Sequence, residues 1–147
     1  MLLRRGDGMS AVPRDAETIL RTFRRIAVVG VSDRPERPSY YVSRYLIDVG
    51  YDVVPVNPLL TRVHERPCYP DLRAISAPVE VVDIFRRSEL VPPVVDDAIA
   101  IGAKAVWMQD RVVHEAAAAK ARAAGLLVVM DRCILRDHRA LGLGRTA

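Results

Sequence analysis

Two pairs of arginines stand just after short apolar segments, and this placement suggests chemistry with phosphate groups. Arg34 and Arg37 follow the segment that ends at Gly30, and Arg86 and Arg87 follow a second apolar segment. A guanidinium group binds phosphate oxygens through two parallel hydrogen bonds. If both segments are parallel strands of one sheet, the four arginines reach the same edge. We therefore expect a site for a ligand with several phosphates, although each arginine taken singly could equally be a solvated loop residue.

The first of these loops, Gly30–Ser39, has the features of an anion site at the start of a helix. We expect the helix to begin at Pro38 or Ser39, where free N–H groups and the positive end of the helix dipole attract anions. The hydroxyl of Ser39 can add a further donor. The loop has only one glycine, whereas a nicotinamide-dinucleotide site needs G-x-G-x-x-G and an acidic residue after the second strand, where Asn57 stands instead. A Walker A motif is also absent from the sequence.

The sequence offers few candidates for catalysis. Residues 133–139 have the C-x5-R spacing of a phosphatase loop, but Ile134 and Leu135 favour the apolar side of a helix instead. Asp83, inside an apolar segment, is either a buried carboxylate of mechanistic interest or a structural hydrogen-bonding group. The histidines at 64, 114 and 138 are not spaced as metal ligands. We therefore predict no catalytic residue and no metal site.

The elements that position these residues alternate between apolar segments and amphipathic ones. We predict strands at Ile26–Gly30, Asp52–Val56, Val79–Phe85, Ala103–Met108 and Leu126–Met130, and helices at Asp15–Arg24, Pro38–Val49, Pro92–Ile101, Val112–Ala124 and Cys133–Leu141. Residues 57–78 contain four prolines and predict a loop with one helical turn at Asp71–Ile75. This rhythm is typical of β-α-β units and predicts an α/β fold. The fold is a doubly wound, Rossmann-like parallel five-stranded sheet of order 3-2-1-4-5.

Length and composition indicate one domain of an ordinary globular protein. The chain has 147 residues, of which half are hydrophobic and 27% are charged, and we assign residues 13–141 to the domain and 1–12 and 142–147 to flexible ends. No apolar run suggests a membrane span, and no secretory signal is evident, so we expect a cytoplasmic protein whose two cysteines are reduced. The net charge is +4, but with dispersed arginines and only two lysines we expect no nucleic-acid partner.

The sequence resembles the stand-alone coenzyme A-binding proteins, which are related to the N-terminal domain of the succinyl-CoA synthetase α subunit. The likeness extends over nearly the whole chain and rests on five segments in matching order: Ala27–Tyr40, Val54–Pro58, Val82–Ser88, Ala105–Gln109 and Val129–Cys133. The synthetases have a glycine-richer first loop than Val31-Ser32-Asp33. Their phosphohistidine and nucleotide-grasping machinery lies in further domains.

The resemblance implies coenzyme A as the ligand and assigns residues to its parts. Around the phosphates it implies Gly30, Val31, Ser32, Arg37, Pro38 and Ser39. Along the nucleotide it implies Asn57, Pro58, Phe85, Arg86 and Arg87, and near the pantetheine arm it implies Met108 and Gln109. Trp107, which alternates with Met108, is expected in the core, so that only one of the two faces the ligand.

Our leading interpretation is a module that binds free or acylated coenzyme A, a small-molecule partner, without catalysis of its own. An enzyme stays open as the alternative. It would be either an atypical dinucleotide-dependent oxidoreductase or an acyl-transfer component that needs a partner chain, for which Asp83 and Cys133 are the conspicuous residues. Homo-oligomers are possible, and a nucleic-acid-binding protein is a poor third.

Overall fold

A five-stranded parallel sheet forms the centre of the molecule. The computed structural model describes residues 11–145, so residues 1–10 and 146–147 of the predicted flexible segments 1–12 and 142–147 lie outside the described residues. The strands of the main sheet are β1 (Arg25–Val29), β2 (Asp52–Val56), β5 (Val81–Ile84), β6 (Ala105–Met108) and β7 (Leu127–Val129). Each is short and apolar because both faces of the sheet are covered, as in parallel sheets generally. This confirms the predicted doubly wound α/β fold.

Helices cover the sheet on both faces, and each face has its own apolar core. The helices are α1 (Arg14–Thr22), α2 (Pro38–Asp48), α3 (Val91–Ala100), α4 (Glu115–Ala123) and α5 (Ile134–Leu141). Buried side chains of α3 and α4 pack with Ala27, Val106 and Met108, whereas those of α1, α2 and α5 pack with Val28 and Trp107. Neighbouring residues of one strand thus enter opposite cores. Trp107 is in the core, as predicted.

The strand order is β2-β1-β5-β6-β7, and a further segment lies along the outer edge of β2. Tyr69 forms a parallel bridge with Val56, and its N–H donates to the carbonyl of Pro55 at 3.0 Å. If the Tyr69 segment is counted as the third strand along the chain, β5 becomes the fourth strand and β6 the fifth. In this numbering the order across the sheet is the predicted 3-2-1-4-5, and β7 is a sixth strand beside β6. The predicted strand Val79–Phe85 therefore pairs with β1, while an irregular segment takes the place beside β2. Pro55 has no N–H to give to a neighbouring strand, so it suits such an edge.

The connection between β2 and β5 contains more structure than the sequence predicted. It forms a small antiparallel hairpin of β3 (Arg62–Val63) and β4 (Arg66–Pro67), and then the predicted helical turn, which is a 3-10 helix at Leu72–Ala74. His64 and Glu65 make the hairpin turn with φ values of 56° and 64°. Among residues 11–145, no helix is long and apolar enough to cross a membrane.

Candidate functional site

The candidate site lies where the direction of winding reverses, between the carboxyl ends of β1 and β5. The chain leaves β1 towards α2 on one face and leaves β5 towards α3 on the other, which opens a crevice between the two loops. Gly30 begins the first loop with φ of 87°, and a Cβ at this position would lie 2.3 Å from the Phe85 carbonyl oxygen. The two loops therefore touch at Gly30, and no larger residue fits the contact.

The first loop is held by its own polar groups. Ser32 N–H donates to Ser39 Oγ at 2.9 Å, and Arg34 N–H donates to Ser32 Oγ at 3.0 Å. Ser39 Oγ thus accepts a bond within the loop, and its hydroxyl hydrogen remains to be donated. Helix α2 begins with Pro38 and has no side-chain capping bond. Pro38 has no N–H, and the N–H groups of Tyr40 and Tyr41 donate to the Arg37 carbonyl, so the first turn offers the Ser39 N–H to an anion.

Asn57, at the end of β2, positions this loop from behind. Its Nδ2 donates to the Val31 carbonyl at 2.8 Å, and its Oδ1 accepts from Leu59 N–H at 2.8 Å. Asn57 is not among the residues that line the cleft described next. Its contact is with the backbone of the loop, so it acts by positioning.

A cleft of about 800 Å³ opens along the carboxyl ends of β1, β5 and β6. This volume is in the range of small-molecule sites. Its walls come from the loops after these strands and from the first turns of α2 and α5. The lining residues are Gly30, Ser32, Arg34, Arg37, Pro38, Ser39, Tyr41, Val42, Phe85, Arg86, Arg87, Gln109, Asp110, Arg111, Val112, Cys133, Leu135 and Arg136.

Positive charge dominates the lining, which includes six arginines and one acidic residue. The acid, Asp110, accepts two bonds from the Arg136 guanidinium at 2.7 and 2.8 Å, and these bonds hold the pKa of its carboxyl below the ordinary value. The side chains of Arg37, Arg86 and Arg111 make no hydrogen bond or ion pair with the residues that the structure describes. These three cations can therefore serve an anionic ligand.

The structure brings most of the predicted site residues into this one cleft. They are Gly30, Ser32, Arg37, Pro38, Ser39, Phe85, Arg86, Arg87 and Gln109. Val31 does not line it, because its side chain is fully buried between the sheet and the helices. Met108 is also fully buried, at 0% exposure, because both faces of β6 are covered. Neither Trp107 nor Met108 faces the cleft, which corrects the expectation that one of them does.

Pro58 lines a second, smaller cavity of about 190 Å³. This cavity lies beside the ends of β1 and β2, is largely apolar, and is also lined by Leu72, Leu90 and Val94. Arg86 lines both cavities, so they adjoin at its side chain. A ligand with a polar part and a flat apolar part could occupy both.

Sequence reasoning missed several residues of the main cleft as site residues, among them Arg111, Cys133 and Arg136. Arg111 follows Gln109 by only two positions, but it reaches the cleft through a backbone turn with φ of 67°, fixed by a 2.7 Å bond from its N–H to Asp131. Cys133 and Arg136 lie at the start of α5. The sequence predicted that these two residues belong to a helix. It did not predict that the first turn of this helix faces the cleft.

The other candidates for catalysis lie apart from the cleft. Asp83 is completely buried, its carboxyl oxygens have no hydrogen-bond partner among the described residues, and burial raises its pKa well above the ordinary value. The structure therefore does not show the hydrogen-bonding role that was one interpretation of Asp83. His64 and His138 pack against tyrosine rings. Within residues 11–145, no three His, Cys, Asp or Glu side chains cluster as metal ligands.

Comparisons with known proteins place these observations in a family. A family model described as "CoA binding domain" matches residues 24–139. The uncharacterized protein YneT of Bacillus subtilis (strain 168) is 38% identical over 124 residues, which cover 84% of this chain and 92% of that protein.

Solved structures agree with this match. A hypothetical protein from Pyrococcus horikoshii OT3 superposes with a TM-score of 0.85 at 42% identity, covering 97% of this chain and 99% of that chain. The dinucleotide forming acetyl-coenzyme A synthetase 1 of Ca. Korarchaeum cryptofilum superposes with a TM-score of 0.65 at 27% identity. There the match covers 74% of this chain but only 26% of the larger protein.

Proposed function

This chain belongs to the CoA binding domain family, and from that premise we propose that it binds coenzyme A, free or acylated, in the arginine-lined cleft and catalyses no reaction alone. The phosphates lie against the Gly30–Ser39 loop and the arginines at 86 and 87. The pantetheine arm runs towards Gln109. The free thiols of Cys68 and Cys133 agree with a cytoplasmic location, where thiols stay reduced.

The observation that carries the proposal is the set of unpaired guanidinium groups in one cleft. Arg37, Arg86 and Arg111 form no ion pair among the described residues, and the single lining carboxylate is already held by Arg136. Three unpaired cations in a concave site favour a ligand with several negative charges. Coenzyme A has a pyrophosphate and a ribose phosphate, so its charge and the volume of the cleft fit these residues.

The lack of an acid-base pair in the described cleft supports a binding role. A general base must reach a reacting group and be free to take its proton. Asp110 is engaged by two bonds from Arg136, and Asp83 is closed off in the core. The histidines of the described residues do not line the cleft.

Calorimetric titration of the purified protein with coenzyme A, NAD and ATP tests the ligand. We expect clear binding of coenzyme A and weaker or no binding of the other two. Binding of NAD without binding of coenzyme A would overturn the proposal and favour an oxidoreductase. Mass spectrometry of the protein under native conditions gives an independent result, since a bound ligand adds its own mass.

Arg86→Ala tests the site itself. Arg86 lines both cavities and is partly buried, so its bonds to phosphate are worth more than those of an exposed arginine. We expect the dissociation constant for coenzyme A to rise by roughly 10-fold or more, from about 1.5–3 kcal/mol per charged hydrogen bond. Arg122→Ala is the matched control because Arg122 is exposed on α4, away from the cleft. Equal effects of the two changes would show that the cleft is not the site.

A further inference from the structure

Cys133 and Gln109 form a small cluster in the wall of the cleft. Cys133 is the N-cap residue of α5 and is 8% exposed, and what is exposed belongs to the lining of the cleft. Gln109, at 4% exposure, follows β6, and its Oε1 accepts a bond from Ile134 N–H at 3.2 Å. Because this bond fixes the orientation of the amide, the Nε2 group of Gln109 is the end left for a ligand.

The Nε2 donor of Gln109 has no hydrogen-bond partner among residues 11–145. The Nε2 atom is not among the fully buried polar atoms that have no partner, so it keeps accessible surface, and water or a ligand in the cleft can accept its hydrogens. Gln109 lines the same cleft as Cys133, and the N–H group bound to its Oε1 belongs to Ile134, the residue directly after Cys133, so the amide and the cysteine are neighbours in the cleft wall. This points to a ligand with a carbonyl or similar acceptor close to Cys133, and the pantetheine arm has two amide carbonyls.

The distance along the sheet suits the length of that ligand. After β7 the chain turns back over β6: Arg132 N–H donates to the Met108 carbonyl at 3.3 Å, and Trp107 Nε1 donates to the Arg132 carbonyl at 2.8 Å. Cys133 therefore lies near the end of β6. Since β6 is two strands from β1, the thiol is about 10 Å along the sheet from the Gly30 loop. The extended arm of coenzyme A, from pyrophosphate to thiol, is longer than this distance, so the arm can reach Cys133 while the phosphates are held at the Gly30 loop.

We propose that Cys133 undergoes thiol-disulfide exchange with the disulfide form of the bound coenzyme, so that the protein carries coenzyme A covalently under oxidising conditions. This rests on the proposed function, because the cleft must first bind coenzyme A. The Cys133 thiolate attacks one sulfur of the coenzyme A disulfide. A new S–S bond forms to Cys133, the original S–S bond breaks, and the second coenzyme A leaves as a thiolate that takes up the proton lost by Cys133. The disulfide is the oxidant, and no other is needed.

The position of Cys133 makes the exchange selective. Its sulfur is reached through the cleft, where the arginines hold the phosphates of the coenzyme and so raise its local concentration. Cys68 provides the contrast. Its side chain is more exposed, lies outside the lining of the main cleft, and donates to the Asn57 carbonyl at 3.7 Å.

Intact-protein mass spectrometry over time tests the exchange. The wild-type protein, Cys133→Ser and Cys68→Ser are each incubated with coenzyme A disulfide and, separately, with pantethine, the disulfide of the arm without its phosphates. We expect one coenzyme A adduct on the wild-type protein and on Cys68→Ser, none on Cys133→Ser, and reversal by dithiothreitol. The adduct should form at least about 10-fold faster than the pantethine adduct, and high salt should remove most of this difference.

Three results would overturn the inference: an adduct on Cys68 alone, no adduct on the wild-type protein, or equal rates with the two disulfides. Titration of the wild-type protein with reduced coenzyme A separates the two proposals. If reduced coenzyme A binds and no adduct forms, the exchange is wrong and the binding function stands. If reduced coenzyme A does not bind, both fail.

Discussion

The contact between Gly30 and the loop after β5 decides whether the two sides of the cleft can meet. A Cβ on Gly30 would lie 2.3 Å from the Phe85 carbonyl oxygen and 2.9 Å from Arg86 Cδ. The first distance is to backbone and cannot be relieved by a side-chain rotation. Gly30 thus packs against the same short segment that presents the Arg86 guanidinium. Stability and ligand binding depend on the same glycine.

Gly30→Ala should therefore lower both. We expect a loss of about 1 kcal/mol from the positive φ, and roughly 1–3 kcal/mol more from the collision with Phe85. Coenzyme A binding should weaken as the loop bearing Arg86 is displaced. Gly125→Ala is the control, because Gly125 has φ of 92° but a Cβ added there would meet no atom within 4 Å. Chemical denaturation and titration measure the two effects, and equal losses of stability in both variants would contradict the collision.

Local patterns in the sequence were enough to predict most elements. The strand Asp52–Val56 was predicted at its observed bounds, and α2 begins at Pro38, one of the two predicted starts. The strand and the helix start both depend on local features of the sequence, namely apolar runs and the proline and glycine residues that begin or end an element. Helix α4 begins at Glu115, three residues later than predicted, because the His114 ring accepts a bond from Ala117 N–H. Histidine is not a usual capping residue, so the pattern did not reveal this start.

Features that depend on distant contacts were harder to predict. The segment at Tyr69 that borders β2 has no strand pattern, and the sequence analysis did not predict it. The hairpin at 62–67 has left-handed residues that are not glycine. In the site, the loops after β1 and β5 were predicted from arginine pairs. Arg111 was not, because a backbone turn directs it to the cleft.

His138 links three helices and gives a test of their packing. It lies on α5 at 1% exposure, its Nδ1 is 2.6 Å from the hydroxyl of Tyr45 on α2, and its ring meets Tyr51 edge-on at 5.7 Å. Tyr51 in turn donates to the Leu20 carbonyl of α1. The Arg139 guanidinium lies over the Tyr45 ring, 5.0 Å from its centroid. Burial lowers the pKa of His138 below its ordinary value of 6.5.

Acid should therefore loosen this packing. Below about pH 6.5 the unfolded chain takes up a proton that the folded His138 does not, so the free energy of unfolding falls as the pH falls towards the folded pKa. Denaturation between about pH 7.5 and pH 5 should show a smaller decrease for His138→Gln than for the wild-type protein. Tyr45→Phe keeps the imidazole and should keep the decrease. An unchanged slope in His138→Gln would assign the acid sensitivity to another group.

Over the whole molecule, buried groups of opposite type balance the response of stability to pH. His64 and His138 both have pKa values lowered by burial, and each takes stability away as the pH falls. Asp83 has a pKa raised by burial, so the folded protein keeps a proton that the unfolded chain has lost. Its contribution is greatest below the ordinary carboxyl pKa of 3.8 and is lost as the pH rises through the folded value. In weakly acidic solution, a fall in pH therefore lowers the free energy of unfolding through the histidines and raises it through Asp83.

Asp83→Asn removes one side of this balance and makes it measurable. The amide is close in size to the protonated carboxyl and stays neutral in both states, so the cost of keeping Asp83 protonated disappears. We expect the variant to be more stable than the wild-type protein near pH 7. In weak acid the unopposed histidines should give it a steeper loss of stability. Asp33→Asn, at an exposed position, should alter neither slope. Denaturant titrations at several pH values decide, and a variant that is less stable at neutral pH would mean that the Asp83 carboxyl has a favourable role in the fold.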